Sequence, residues 1–138
     1  MPLEQYTFFV DRSLGSLRLA GALRDLGLTI VVHDDLFAQD ALDPDWLRMA
    51  GDHGWVVLTK DDKIRYRPIE RDAYLRAGVR CFVFTQGNQR MDVIIHAFRL
   101  AMEGVDEILV RVEAPFVARI TASGDVAILA PPEKRDPV

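Results

Sequence analysis

The chain has 138 residues, a formal net charge of −4, and a composition that is 49% hydrophobic and 28% charged. This length predicts one domain, over residues 1–130, followed by a polar, proline-containing tail at 131–138 that we expect to be frayed. The acidic balance argues against a protein that holds nucleic acid by charge alone. It does not exclude a nuclease, because bound metal ions can supply positive charge at the phosphate.

Targeting signals are not evident in the sequence. No apolar stretch approaches the ~20 residues that a membrane-spanning helix needs. The first residues contain no basic region followed by an apolar one, which is the pattern of a secretory signal. We therefore expect a cytoplasmic protein without a membrane partner.

Three short apolar runs, at residues 6–10, 28–32 and 55–59, predict buried strands of a parallel sheet. Helical spacing of apolar residues predicts a helix up to Leu26, capped by Ser13 or Ser16, and a second helix from Asp43 to near Gly51 or Gly54. Two further helices are predicted over 68–77 and over about 89–102, the last of them stopped by Gly104. A fourth strand is predicted at 79–84, and a charged loop or short turn at 60–67.

The last part of the chain has a different pattern. Residues 107–112, 115–121 and 126–129 predict short strands, the last two joined by a turn at 123–125. Four strands that alternate with helices predict an α/β fold with a mainly parallel sheet, and the later strands add a short C-terminal β extension.

Acidic residues follow each of the first three predicted strands, and these residues are Asp11, Asp34, Asp35, Asp61 and Asp62. Functional groups in open α/β sheets gather beyond the carboxyl ends of the strands. Mg²⁺ and Mn²⁺ prefer carboxylate oxygens, so this pattern predicts a metal site at one sheet edge. Simpler interpretations stay open: Asp11 could cap a helix, an Asp pair could serve a turn, and Asp45 suits the first turn of a helix.

Other site chemistries lack their motifs. The three histidines have no companion cysteines at zinc-binding spacing. The sequence contains neither a glycine-rich phosphate loop nor the G-x-S-x-G turn of serine hydrolases.

Four segments of the sequence together resemble a known family. They are residues 8–15 (FFVDRSLG), 32–37 (VHDDLF), 45–47 (DWL) and 54–61 (GWVVLTKD). These segments are similar to PIN-like domains of VapC-type toxins from bacterial toxin–antitoxin systems. The resemblance covers about residues 6–104, and the T-K-D after a hydrophobic strand is its most specific part.

The resemblance implies a three-layer α/β/α fold and magnesium- or manganese-dependent cleavage of RNA at an acidic cluster. It places the catalytic and metal-binding acids at Asp11, Asp45 and Asp61, with Asp43 as the alternative to Asp45. A fourth acid is absent from residues 85–89, so the resemblance leaves Asp62 or Asp35 as replacements and leaves open one-metal or two-metal chemistry.

Cationic residues follow the third predicted strand, and those expected to contact RNA phosphates are Lys60, Lys63 and Arg65. A solvated charged loop is the alternative interpretation. The family also implies RNA as substrate and an antitoxin encoded by a neighbouring gene, while a homodimer is left open. Two other functional classes compete: a non-catalytic PIN-like scaffold that binds a partner protein or RNA, and, less favoured, a receiver domain.

Overall fold

The computed structural model describes residues 5–14, 17–32, 43–60, 63–86 and 89–131, apart from the side chains of Arg12, Asp43, Pro44, Asp45 and Arg65. The strands are β1 (Thr7–Val10), β2 (Thr29–Val32), β3 (Val56–Thr59), β4 (Arg80–Phe84), β5 (Phe116–Ile120) and β6 (Val126–Ala130). The helices are a 3-10 turn (Arg12–Leu14), α1 (Leu17–Asp25), α2 (Asp43–His53), α3 (Lys63–Tyr66), α4 (Pro68–Arg76) and α5 (Met91–Arg111).

One six-stranded sheet organises these elements in the order β2-β1-β3-β4-β5-β6. Strands β1 to β5 pair in parallel, and β6 alone pairs antiparallel, with β5. In the register of the first three strands, Val10 lies opposite Val32 on one side and Leu58 on the other. The carboxyl ends of β1, β2 and β3 therefore meet at the same edge, as the sequence predicted.

Both faces of the sheet are covered by helices. Side chains alternate between the two faces along each strand, so each strand contributes to both cores. Phe8 and Val10 point into a core with residues of α1 and α5. Phe9, between them, points into a second core with residues of α2, α3 and α4. This arrangement confirms the three-layer α/β/α prediction, and the near-continuous apolar strands are explained by burial on two sides.

The charged segment 60–67, predicted as a loop or short turn, contains the short helix α3. Ile64 is fully buried in the second core, together with residues of α2 and β3. Burial of Ile64 packs this helical turn against the core, and that burial could not be inferred from the local charge pattern.

The prediction for the C-terminal part was wrong in one place. We expected a helix to end at Gly104 and a strand at 107–112, whereas α5 continues to Arg111. Val105, Ile108 and Leu109 are buried and continue the helical spacing. Gly104 lies inside the helix and does not end it. A Cβ at this position would lie 2.9 Å from Cγ2 of Val126, so the glycine permits close packing of α5 against β6.

The strands of the C-terminal extension were predicted correctly in position. β5 adds to the parallel part of the sheet, and only β6 forms an antiparallel pair. Gly124, at φ 86°, occupies the predicted turn between them. The expected frayed tail lies outside the described residues from 132 onward. Within the described part of the chain, no helix is long and apolar enough to cross a membrane.

Gly51 provides a stability test of the packing between α2 and α4. A methyl group at Gly51 would overlap the backbone carbonyl oxygen of Ala77, just after α4. Backbone atoms cannot move aside cheaply, so we expect Gly51→Ala to lower the free energy of unfolding by about 1–3 kcal/mol, the usual cost of overpacking.

The matched control is Gly21→Ala in α1, where a Cβ would meet nothing within 4 Å. Alanine favours a helix interior over glycine, so this variant should gain about 0.5–1 kcal/mol. Urea unfolding of both variants measures the difference. Equal stability changes in the two would show that α2 and α4 do not approach as closely as described.

Candidate functional site

Asp11 lies where β1 ends beside β3. Its backbone N–H donates a 2.9 Å hydrogen bond to the carbonyl oxygen of Leu58, so the pairing between the two strands continues one residue past β1. Its own carbonyl oxygen accepts a 2.9 Å hydrogen bond from the N–H of Leu14 and closes the 3-10 turn. The backbone on both sides of Asp11 is thus fixed, which limits where its side chain can point.

The Asp11 side chain is 8% exposed and is held by two hydroxyl groups. Thr59, fully buried at the end of β3, donates from Oγ1 to Asp11 Oδ2 over 2.7 Å. Ser13, in the 3-10 turn, donates from Oγ to the same Oδ2 over 2.9 Å. Hydrogen bonds of this kind to a carboxylate are needed when the group is largely removed from water.

Ser13 connects the two strand ends further. Its Oγ accepts a 3.0 Å hydrogen bond from the backbone N–H of Lys60 and lies 3.0 Å from Oγ1 of Thr59. We call Ser13 and Thr59 the hydroxyl pair. Within the described residues, both hydrogen bonds to the Asp11 carboxylate reach Oδ2, and none reaches Oδ1. Oδ1 is therefore the carboxylate oxygen without a hydrogen-bond donor among the described residues.

The alternative role of Asp11 as a side-chain helix cap is not what these contacts show. A capping carboxylate accepts from backbone N–H groups of the following turn. In the described part of the chain, the Asp11 side chain accepts from hydroxyls instead, one of them 48 residues away. These contacts join the ends of β1 and β3.

Asp45, and Asp43 as its alternative, lie in the first turn of α2. The helix ends two residues before β3 begins, and the N–H of Trp55 bonds back to the carbonyl of Ala50. α2 is about 16 Å long at 1.5 Å per residue. The chain reverses direction between α2 and β3, so the first turn of α2 lies toward the carboxyl edge of the sheet. The side chains of these two acids lie outside the described residues.

The remaining predicted acids also fall outside the described residues, and they are Asp61, Asp62, Asp34 and Asp35. Among described side chains, no group of three or more His, Cys, Asp or Glu residues comes together. The acidic cluster as a whole therefore stays a prediction in which Asp11 is the member whose surroundings are described.

The cationic residues predicted to contact RNA begin directly after Thr59. Lys60 is half-buried, with its backbone held by Ser13. Lys63 is exposed in α3, at the same end of β3, while the side chain of Arg65 lies outside the described residues. Exposed positive charge in this segment is compatible with phosphate contacts, which stay a prediction.

Sequence reasoning missed the hydroxyl pair as partners of Asp11. The sequence predicts Ser13 as a helix cap and Thr59 as the end of a strand, and it marks neither as a partner of Asp11. A signal was present: each of the two adjacent strand ends carries an acid with a hydroxyl residue two positions away, in Asp11-Arg12-Ser13 and in Thr59-Lys60-Asp61. Hydroxyls placed this way can donate to the acid of the neighbouring strand once the register aligns them.

Comparisons with known proteins can now be set beside this geometry. The family model described as a PIN-like domain matches residues 6–86, which include β1 to β4 and the hydroxyl pair. A protein of Mycobacterium tuberculosis named "Putative ribonuclease VapC45" is 27% identical over 125 residues, which cover 88% of this chain and 90% of that protein. No solved structure matches the chain significantly. The match to more than half of the sequence, together with the three-layer fold, shows that this chain belongs to the PIN-like domain family.

Proposed function

We propose that this protein is a metal-dependent endoribonuclease that acts as the toxin of a toxin–antitoxin pair. The observation that carries the proposal is the Asp11 carboxylate, which is buried at the carboxyl edge of a PIN-like sheet with one oxygen bonded by two hydroxyls and the other directed to no described donor. The relative named as a ribonuclease aligns over most of both chains and supports this reaction class.

Magnesium or manganese fits the residues present. Both ions prefer hard oxygen ligands, commonly one or two carboxylates. Asp11 supplies such an oxygen through Oδ1, and we propose Asp45 and Asp61 as the further ligands, with Asp43, Asp62 or Asp35 as candidates for an additional one. When bound, the ion supplies positive charge that stabilises the charge developing on a phosphodiester in the transition state.

The protein's own groups orient the site and the substrate. The hydroxyl pair fixes the direction of the Asp11 carboxylate, and the buried surroundings limit its contact with water. Lys60, Lys63 and Arg65 would contact backbone phosphates, which position RNA without specifying its sequence. In a chain of net charge −4, such local cations and the metal together would offset repulsion of the RNA.

The partner that follows from the toxin assignment is an antitoxin protein encoded next to this gene. An acidic site is readily occupied by an arginine, whose guanidinium pairs bidentately with carboxylates and replaces the charge of the metal. We therefore propose an inhibitory cationic side chain on the partner, directed at the edge that carries Asp11.

RNA cleavage by the purified protein tests the proposal. We expect cleavage with Mg²⁺ or Mn²⁺, its loss in EDTA, and its inhibition by the protein from the adjacent gene. The second candidate function is a non-catalytic PIN-like scaffold that binds RNA or protein. RNA binding without cleavage, under every metal condition, would favour that scaffold. Undiminished cleavage in EDTA would instead contradict the carboxylate–metal mechanism.

A further inference from the structure

We propose that the hydroxyl pair, Ser13 and Thr59, are positioning residues that direct Oδ1 of Asp11 to the metal, and that Ser13 also couples the Asp11 carboxylate to the backbone of Lys60. The proposal rests on the metal-dependent function proposed above. It assigns a role to two residues that carry no charge, lie 46 positions apart in sequence, and meet at one carboxylate.

Counting hydrogens supports this role. Each hydroxyl has one hydrogen to donate, and an ionised carboxylate only accepts. If both hydroxyls donate to Oδ2, as their 2.9 and 2.7 Å distances allow, the 3.0 Å approach of Ser13 Oγ to Thr59 Oγ1 is a contact between two oxygens that face the same acceptor. Oδ2 then has two donors, and a cation meets its least competition at Oδ1.

Ser13 also contacts the backbone that follows β3. Its Oγ accepts the backbone N–H of Lys60 while it donates to Asp11. A single oxygen therefore fixes both the Asp11 carboxylate and the backbone of Lys60, the residue that follows β3.

The 3-10 turn explains why Ser13 can reach both groups. The Leu14 N–H to Asp11 carbonyl bond folds the chain back directly after β1. Ser13 lies inside that turn, half-buried, facing the end of β3 rather than continuing away from the sheet. A regular extension of β1 would carry the side chain out of reach of Lys60.

Manganese affinity is the direct readout, measured by electron paramagnetic resonance of free Mn²⁺ during titration of the whole chain. Ser13→Ala removes one donor to Oδ2 and the acceptor for Lys60. We expect it to weaken manganese binding about 10- to 100-fold, the usual effect of losing a partner that orients a metal ligand. Ser13→Thr keeps a hydroxyl and should bind within a few-fold of the parent.

Thr59 gives a second, independent pair of variants if Ser13→Ala does not fold. Thr59→Val keeps the shape of the buried side chain but cannot donate, whereas Thr59→Ser keeps the donor in a smaller side chain. Weakened manganese binding in Thr59→Val, with restoration in Thr59→Ser, is the result expected. A purely structural role would rank these two variants by packing, and Thr59→Ser would then be the worse one.

Ser123→Ala is the matched control, because it removes an exposed serine hydroxyl that contacts Thr121 and Asp125 in the hairpin between β5 and β6. It should bind manganese like the parent. Parental affinity in both Ser13→Ala and Thr59→Val, with binding lost in Asp11→Asn, would overturn this inference and leave the proposed function standing. A parent that binds no manganese would overturn the proposed function, and this inference with it.

Discussion

Asp11→Asn should remain folded and should lose metal-dependent RNA cleavage. The asparagine amide oxygen can take the place of Oδ2 and accept from the hydroxyl pair, so the contacts that hold the side chain persist. The amide NH₂ then takes the place of Oδ1, where it cannot bind a cation. Because a ligand is lost rather than an orienting partner, we expect cleavage to fall by more than about 100-fold.

The matched control for this variant is Asp25→Asn. Asp25 is exposed at the end of α1, just before β2 begins, and so lies near the opposite edge of the sheet. The Asp25→Asn variant has the same change in net charge as Asp11→Asn, and its rate of RNA cleavage should equal that of the parent. Circular dichroism melts of both variants check folding. Parental cleavage by Asp11→Asn would remove Asp11 from the metal site and with it the proposed mechanism.

The strands were the most predictable part of the fold. β1, β3 and β4 are short apolar runs ended by polar residues, and burial on both faces leaves them no polar alternation to confuse the pattern. Strands that alternate with helices predict parallel pairing, and this was enough to predict that their carboxyl ends meet at one edge of the sheet. Asp11 was identified for that reason and lies buried beside β3, while its role in a metal site stays a prediction.

The errors have a common physical origin in contacts between distant segments. Gly104 looked like a helix stop, but its lack of a side chain serves the approach of Val126, 22 positions later. Ile64 lies among charged residues in the sequence, and its burial in a core built from α2, α4 and the sheet depends on contacts that the local pattern does not reveal. The hydroxyl pair depends on the register of β1 against β3, which the order of residues alone does not specify.

Trp46 links the packing of the core to the candidate site. It directly follows Asp45 in the first turn of α2 and is only 1% exposed. Its ring stacks on Phe9 of β1, with centroids 5.3 Å apart, and meets Tyr74 of α4 edge-on at 5.8 Å. Phe9 lies two residues before Asp11, so one aromatic contact joins the strand that leads into Asp11 to the helix that carries Asp45, the proposed second acid.

Trp46→Ala should therefore lower the free energy of unfolding by about 3–5 kcal/mol, the range for truncating a large buried aromatic side chain. Trp46→Phe keeps a ring against Phe9 and should lose less. Arg48→Ala, at an exposed position of the same helix, is the control and should stay within about 0.5 kcal/mol of the parent. Urea unfolding of the three variants gives these values.

The same variants separate a packing role from a role in the site. If α2 presents Asp45 to the metal, Trp46→Ala should also bind Mn²⁺ more weakly at temperatures where it is still fully folded, because the first turn of the helix loses its anchor. Trp46→Phe should retain most of the affinity. A folded Trp46→Ala protein with parental manganese affinity would show that the start of α2 contributes no ligand, and the ligand assigned to Asp45 would then have to come from Asp35 or Asp62.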